Sequence, residues 1–295
     1  MNELAYIPRH FRRCVKYKNL IKIDDFKDED KLSSSCLSAY KKVQTGNEWK
    51  NSIKKTRVKS KAAYSLDSPE SVLLHNVLVN NIDARYQTKC ADRDTTIRLL
   101  ISHIKDSYAF TVHRLDVKSF YESFNRRGII NKLKSDARLS RKTLTTLQNL
   151  FTELERLDVN GLPRGLGLSS TLSEVMMNNF DNYLKNMEGI LFYCRFVDDI
   201  IILTTPAITK SKISEILEHS SLPEKLEFHR TGNKVAHKLI RKTSQDSERK
   251  EIFDFLGYHF KVTFKEQLSG TNLKVKRRVL EVEISDEKID KIKKE

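Results

Sequence analysis

Cysteine is scarce in this sequence, and the four present, Cys14, Cys36, Cys90 and Cys194, form no CxxC pair and no Cys/His spacing. Neither a zinc site nor a disulfide framework is expected from such scatter, and a reducing cytoplasm fits it. Long apolar runs are missing as well: nothing approaches the roughly 20 residues of a membrane span. The start, MNELAYIPRHFRR, carries charge without an apolar leader core, so a protein that is not exported and has no membrane partner is expected. No internal repeat is visible.

What the chain has is positive charge and enough apolar residues for a core. Lys and Arg number 54 against 39 Asp and Glu, a net +15 with a pI near 9.5. A polyanion is the natural partner, since binding phosphates releases counterions. Hydrophobic residues make up 39% of 295, with 14 Phe, which is ample for a folded domain or two. Basic residues crowd the first 62 positions: Arg9, Arg12, Arg13, Lys16, Lys18 and Lys22, then Lys50, Lys54, Lys55, Arg57, Lys59 and Lys61. The acidic, Ser-rich DDFKDEDKLSSS between them reads as a loop.

Helices are predicted where starts and apolar spacing agree. Ser68-Pro69 with Glu70 opens one running through Val79, and others cover Thr95–Lys105, Leu139–Leu157 and Ile208–Leu217. From Ser169 to Met187 the residues Leu172, Val175, Met176, Tyr183, Leu184 and Met187 fall on one stripe, and Gly189 ends that helix. Tyr108–Val117 reads as a strand ending at Asp116, with further strands at Leu226–His229 and Ile252–Phe264. KIDKIKKE reads as the start of a helix. Helices interleaved with antiparallel hairpins predict an α+β fold, with helices covering one face of a sheet.

The chemistry concentrates at Leu191–Leu203, LFYCRFVDDIIIL, two apolar runs around Asp198 and Asp199. The pattern predicts a hairpin with both aspartates at its tip. Taken alone, the pair is good turn chemistry and no more. If the strand ending at Asp116 is a sheet neighbour, three carboxylates meet at one edge. Carboxylates that close repel unless cations lie between them, and magnesium prefers hard oxygen ligands. Two such ions are the machinery of in-line displacement at phosphorus.

Five segments in order, LDVKSFYESF, GLPRGLGLSS, FVDD, a following lysine and FLGY, resemble the successive palm motifs of reverse transcriptases over about residues 85–260. FVDD stands where most members have Tyr-x-Asp-Asp. The resemblance implies a right-hand polymerase: fingers at 1–105, palm at 106–265, of which about 126–160 can pack with the fingers, and a short thumb or C-terminal extension from 266–295. It implies an RNA-directed DNA polymerase that joins deoxynucleotides with two Mg2+ ions, or Mn2+, on an RNA template, with a protein partner or a second copy as further company. Asp116, Asp198 and the Val117 carbonyl would be metal ligands and Asp199 the third carboxylate. Tyr121 would pack under the sugar and exclude a 2′-hydroxyl. Gly165 and Gly167 would let backbone approach the nucleotide, Ser169 would follow that loop or cap a helix, and Lys234 would stand near the leaving pyrophosphate. Phe255, Leu256, Gly257 and Tyr258 would grip the primer end. Among Arg85, Lys89, Arg93 and Arg98, the resemblance favours Arg93 and Arg98 for the triphosphate.

Departures narrow the group. Arg164 replaces a usual Gln after Leu-Pro, placing a cation beside the nucleotide, and Glu174 replaces a usual Asn, where it would complete a capping box with Thr171. LPRG with Leu-Ser-Glu resembles bacterial reverse transcriptases of abortive infection and phage defence, a group in which noncoding-RNA templates, untemplated synthesis and protein priming all occur. The rival expectation is a polymerase-shaped but silent nucleic-acid-binding subunit of a larger assembly.

Overall fold

The computed structural model describes residues 2–58, 61–88, 91–106, 108–232, 234–242, 250–268 and 274–294, so Lys59, Lys89 and Cys90 lie outside the described residues. The chain divides into two compact units. One comprises Met1–Lys89, Ser119–Met177 and Pro223–Lys225, the other Cys90–Lys118, Asn178–Leu222 and Leu226–Glu295. Among the described residues no helix is long and apolar enough to cross a membrane.

The first unit holds α1 (Pro8–Arg13), α2 (Tyr17–Lys22), α3 (Glu29–Thr45), the hairpin β1 (Ile53–Val58) and β2 (Lys61–Leu66), and α4 (Pro69–Tyr86). The acidic stretch expected to be a loop instead forms a 3-10 turn at Asp24–Phe26 and then the start of α3. The Asp28 side chain accepts from the Asp30 and Lys31 N–H groups, and Glu29 and Asp30 occupy the first turn, where the helix dipole favours negative charge. Leu32, Cys36, Ala39 and Val43 then recur at helical spacing and are buried. Ser68 caps α4 through the Ser71 N–H, as its sequence predicts. The helix reaches Tyr86, with Leu73, Leu74, Val77, Leu78 and Ile82 fully buried, each contributing about 1.5–3 kcal/mol of transfer free energy.

The second unit is built on an antiparallel sheet. After α5 (Arg93–Lys105) come β3 (Phe110–Asp116), α6 (Arg126–Asp136) and α7 (Arg141–Arg156) of the first unit, and α8 (Gly167–Lys185), whose residues divide between the units at Met177. Then follow β4 (Ile190–Phe196), β5 (Asp199–Thr204), α9 (Lys210–Glu218), β6 (Ala236–Ile240), the strands β7 (Glu251–Phe255), β8 (Tyr258–Leu268) and β9 (Lys274–Ile284), and α10 (Asp286–Lys294). Strand order is β4-β5-β3-β6 in one sheet and β7-β8-β9 in the other. The segment expected as a strand at Leu226–His229 makes only an isolated bridge, Val117 to Phe228.

Sheet alternation sorts the side chains. Val112, Ile201 and Leu203 project to one face, where Ile97, Leu100 and Ile104 of α5 meet Phe253, Phe255 and Phe260 in a single core. Ile200 and Ile202 project to the other face and are equally buried. A strand buried on both sides reads as a continuous apolar run, which is why DIIIL shows no polar alternation. The apolar stripe of α8 is centred on Leu172, Val175, Met177, Phe180 and Leu184, whereas Met176 and Met187 are half-buried at its border. α8 also starts before Ser169, so Thr171 is an interior helical residue and cannot form a capping box with Glu174.

Candidate active site

The register places Asp116, the last residue of β3, directly opposite Asp199, the first residue of β5. The 82 intervening positions collapse to one rung of a ladder. The turn between β4 and β5 is Val197-Asp198, so Asp198 stands at its tip and Asp199 already pairs with Phe196. Val197 adopts φ 59°, a left-handed conformation that costs a β-branched residue of order 1–3 kcal/mol. Arg195 anchors that turn. Its side chain, 3% exposed, donates to both Asp181 oxygens at 2.9 and 2.7 Å and to the Val197 carbonyl at 3.2 Å.

Backbone bonds carry β3 past Asp116. The His229 N–H donates to the Asp116 carbonyl at 2.9 Å and the Lys118 N–H to the Glu227 carbonyl at 2.8 Å. Val117 between them therefore directs its own N–H and C=O to the opposite side, where the N–H meets the Asp198 carbonyl at 3.0 Å. The expected ligand carbonyl of Val117 thus faces the Asp198 side.

Basic side chains surround the carboxylates. Lys234 Nζ reaches Asp116 Oδ1 at 2.9 Å and Oδ2 at 2.8 Å, and His229 Nε2 is 3.2 Å from Oδ1. Arg114 Nη2 is 3.3 Å from Asp199 Oδ1. Burial pushes the Asp198 carboxyl above its ordinary range, and repulsion from Asp199 and Asp116 adds to this. Asp199 is also raised by burial, with Arg114 opposing the shift. Burial pulls the Lys234 ammonium down, but the hydrogen bond and charge of Asp116, with Asp198 and Asp199, outweigh it and raise the group overall. Among the described residues no group of three or more His, Cys, Asp or Glu side chains stands ready to hold a metal ion. Lys234 and Arg114 occupy the carboxylates that would converge on one. The donor set itself, three hard carboxylates of which burial raises the pKa of two, fits a divalent cation.

The other expected residues divide between the two units. In the first unit, the loop GLPRGLG is fixed by close backbone contacts: the Leu162 N–H donates to the Tyr121 carbonyl at 2.8 Å and the Tyr64 N–H to the Arg164 carbonyl at 2.7 Å. Gly165 has φ 96°, and a Cβ there would lie 2.4 Å from the Tyr64 carbonyl oxygen. Arg164 forms a forked pair with Glu122, Nη2 to Oε2 at 2.9 Å, and its guanidinium lies 5.7 Å from the Tyr121 ring centre. The Ser169 hydroxyl donates to the Pro163 carbonyl at 2.6 Å, tying the loop to α8. His75, its pKa lowered to about 4 by burial, accepts from the Leu168 N–H at 3.2 Å.

In the second unit, Phe255 and Leu256 are buried, and Leu256-Gly257 form the β7–β8 turn with φ 48° and 73°. Arg93 donates to the Leu256 carbonyl and lies 5.5 Å from the Tyr258 ring centre, so its guanidinium is engaged with the FLGY turn. Arg98 is exposed on α5. Sequence reading missed Arg114, His229 and the Arg195–Asp181 pair. The first had a signal: it precedes Asp116 by two positions in a strand and must share its face.

An antiparallel sheet presenting acidic residues from a strand end and a hairpin tip defines the class of palm-type nucleotidyl-transfer polymerases. Residues 50–260 match the family described as reverse transcriptase (RNA-dependent DNA polymerase), starting earlier in the chain than the motifs alone suggested. The chain belongs to the reverse transcriptase family. Among solved structures it is similar to a telomerase from Candida albicans in complex with a TWJ fragment of telomeric RNA, at 14% identity and TM-score 0.39, covering 70% of this chain and 37% of that one. It is also similar to an apo telomerase from Candida tropicalis truncated from its C-terminal domain, at 14% identity and TM-score 0.40, covering 63% and 42%. The chain thus spans less than half the length of either. No curated protein matches it.

Proposed function

We propose that the chain is an RNA-directed DNA polymerase that joins deoxynucleotides at a site built on Asp116, Asp198 and Asp199. The observation that carries this reading is the Asp116–Asp199 rung, with the Val117 N–H on the Asp198 carbonyl. Folding alone gives no reason to keep three carboxylates together at the rim of an apolar sheet. Reverse transcriptase domains use divalent metal ions, and the proposed ions here are two Mg2+ held by Asp116, Asp198, Asp199 and the Val117 carbonyl, with Mn2+ as a substitute. When bound, they would lower the pKa of the attacking 3′-hydroxyl and neutralise charge developing on the phosphate. Lys234 would leave Asp116 and supply its ammonium to the departing pyrophosphate. Tyr121 would exclude ribonucleotides, Arg164 and Gly165 would contact the nucleotide, and Phe255, Leu256, Gly257 and Tyr258 would hold the primer end. Arg98, exposed and unlike Arg93 not drawn into the FLGY turn, is the better of the two for a triphosphate.

The palm in this reading is residues 106–265, preceded by fingers and followed by the start of a thumb. An RNA template, including a noncoding RNA, and a DNA product are the proposed partners. Arg164 and the Leu-Ser-Glu run support a place in bacterial anti-phage defence, in the cytoplasm. Primer extension by the purified protein, wild type against Asp198→Ala with Asp199→Ala, tests the activity, and equal DNA synthesis by both would sink it.

One observation favours a second reading, a silent nucleic-acid-binding subunit: Lys234 and His229 already satisfy Asp116. RNA binding that is indifferent to magnesium and deoxynucleotides, in a protein that extends no primer, would support that alternative.

A further inference from the structure

The carboxylates of the site are held in two ways. Lys234 and His229, the partners of Asp116, have side chains 54% and 38% exposed, and both belong to the stretch between β5 and β6 rather than to a paired strand. Either side chain therefore already borders solvent. Arg114 is different. It projects from β3, a strand paired on one side with β5 and on the other with β6, and its side chain is 13% exposed. Its guanidinium is largely shut off from water, so leaving Asp199 would mean moving a charge within a poorly solvated site rather than out into solvent. The cation on Asp116 is therefore exchangeable and the one on Asp199 is built in.

We propose that Arg114 is a positioning residue of the polymerase site. It orients the Asp199 carboxylate and permanently balances its charge, so that divalent cations are taken chiefly by Asp116 and Asp198. This rests on the polymerase reading above. It assigns unequal work to the adjacent aspartates and gives Arg114 a role through Asp199 rather than through substrate.

The consequence is a pair of opposite effects. Removing a fixed positive charge 3.3 Å from Asp199 leaves the site more negative, so a divalent cation binds more tightly. Losing the orientation of Asp199 slows turnover. A residue that served only packing would weaken both or neither. The test compares Arg114→Met, Arg114→Lys, Asp199→Asn and the Arg114→Met, Asp199→Asn double variant. Mn2+ binding is followed by electron paramagnetic resonance without substrate, and primer extension is followed at varied Mg2+.

Arg114→Met is expected to bind Mn2+ about 3- to 10-fold more tightly while turnover falls about tenfold or more. Arg114→Lys, which keeps the charge, should restore Mn2+ affinity to the wild-type value. The double variant should be no slower than the slower single one, since Arg114 acts through Asp199. Mn2+ affinity and turnover both within about twofold of wild type in Arg114→Met, or losses that multiply in the double variant, would overturn the proposal. Should Arg114→Met not fold, the Arg114→Lys and Asp199→Asn pair decides: the lysine variant must match wild-type Mn2+ affinity, and a loss there overturns it equally. A wild-type protein that folds, yet neither binds Mn2+ nor extends a primer, overturns the polymerase reading itself.

Discussion

Lys234 Nζ grips both carboxylate oxygens of Asp116, at 2.9 and 2.8 Å, while Asp116 itself is 2% exposed. A buried anion is thus neutralised by a cation whose own side chain is half in water. Lys234→Met would leave Asp116 with the His229 imidazole, 3.2 Å from Oδ1. The expected loss is roughly 1–2 kcal/mol, discounted from the buried-pair value because Lys234 is solvated, or about 2–6 °C in melting temperature. Saturating Mg2+ should close that gap, because a divalent ion then supplies the missing charge. Melting curves with and without Mg2+ check this. A deficit that Mg2+ leaves unchanged means the lysine and the metal do not share Asp116.

Asp198 is destabilising where it stands. Its pKa is raised, by burial first and then by Asp199 and Asp116, so the folded protein holds this proton more tightly than the unfolded chain. The stability that this one group contributes is therefore fully present at acid pH, falls as pH climbs from the ordinary carboxylate value through the higher folded one, and stays lost above that. Asp198→Asn removes the fall. At neutral pH, without metal, the variant should melt about 2–4 °C above wild type and make no DNA. Asp199→Asn should gain less, since it gives up Arg114. Melting temperature against pH for the three proteins measures the difference.

Local chemistry made much of this fold legible. Ser68-Pro69, the DIIIL run and the Asp116 strand end each carry a propensity, a cap or a period that agrees with the final structure. α3 was hidden because DDFKDEDK has loop composition, and only the capping geometry of Asp28 turns those charges into a helix start. β6, five residues at the sheet edge, is too short to show alternation, and β9 carries a visible one, Leu280, Val282, Ile284, obscured by its charges. For the site, the motifs supplied the aspartates, but nothing in their spacing encodes the rung between Asp116 and Asp199. That comes from register. Nor could spacing show that Arg93 would be drawn to the carbonyl of Leu256, 163 positions away.

The loop after α7 tolerates no side chain at one of its glycines. A Cβ at Gly165 would come within 2.4 Å of the Tyr64 carbonyl oxygen, at φ 96°. The obstacle is backbone, so it cannot rotate aside, and the Tyr64 N–H bond to the Arg164 carbonyl fixes its position. Gly165→Ala is expected to cost about 2–4 kcal/mol, combining strain with the clash. Gly46, with φ 69° and open space around it, is the control: Gly46→Ala should cost only about 1 kcal/mol, the left-handed penalty alone. Urea denaturation of both variants compares them, and equal midpoints would refute the close contact.

Tyr121 offers the last test, one of substrate choice. Its ring is held from two sides, by the Phe120 ring at 5.3 Å between centres and by the Arg164 guanidinium at 5.7 Å, while its carbonyl receives the Leu162 N–H. In the polymerase reading proposed above, a ring restrained in this way would reject a 2′-hydroxyl by volume rather than by a hydrogen bond. Exclusion by volume is lifted by making the side chain smaller. Tyr121→Val should therefore incorporate ribonucleotides with at least about tenfold better relative efficiency than wild type, with deoxynucleotide use reduced less. The fork between Arg164 and Glu122 should survive the change, so Glu122→Gln serves as a second variant that loosens Arg164 and leaves the ring in place. If wild type already uses both sugars equally, or if Glu122→Gln and Tyr121→Val relax the choice alike, the ring is not the element that discriminates.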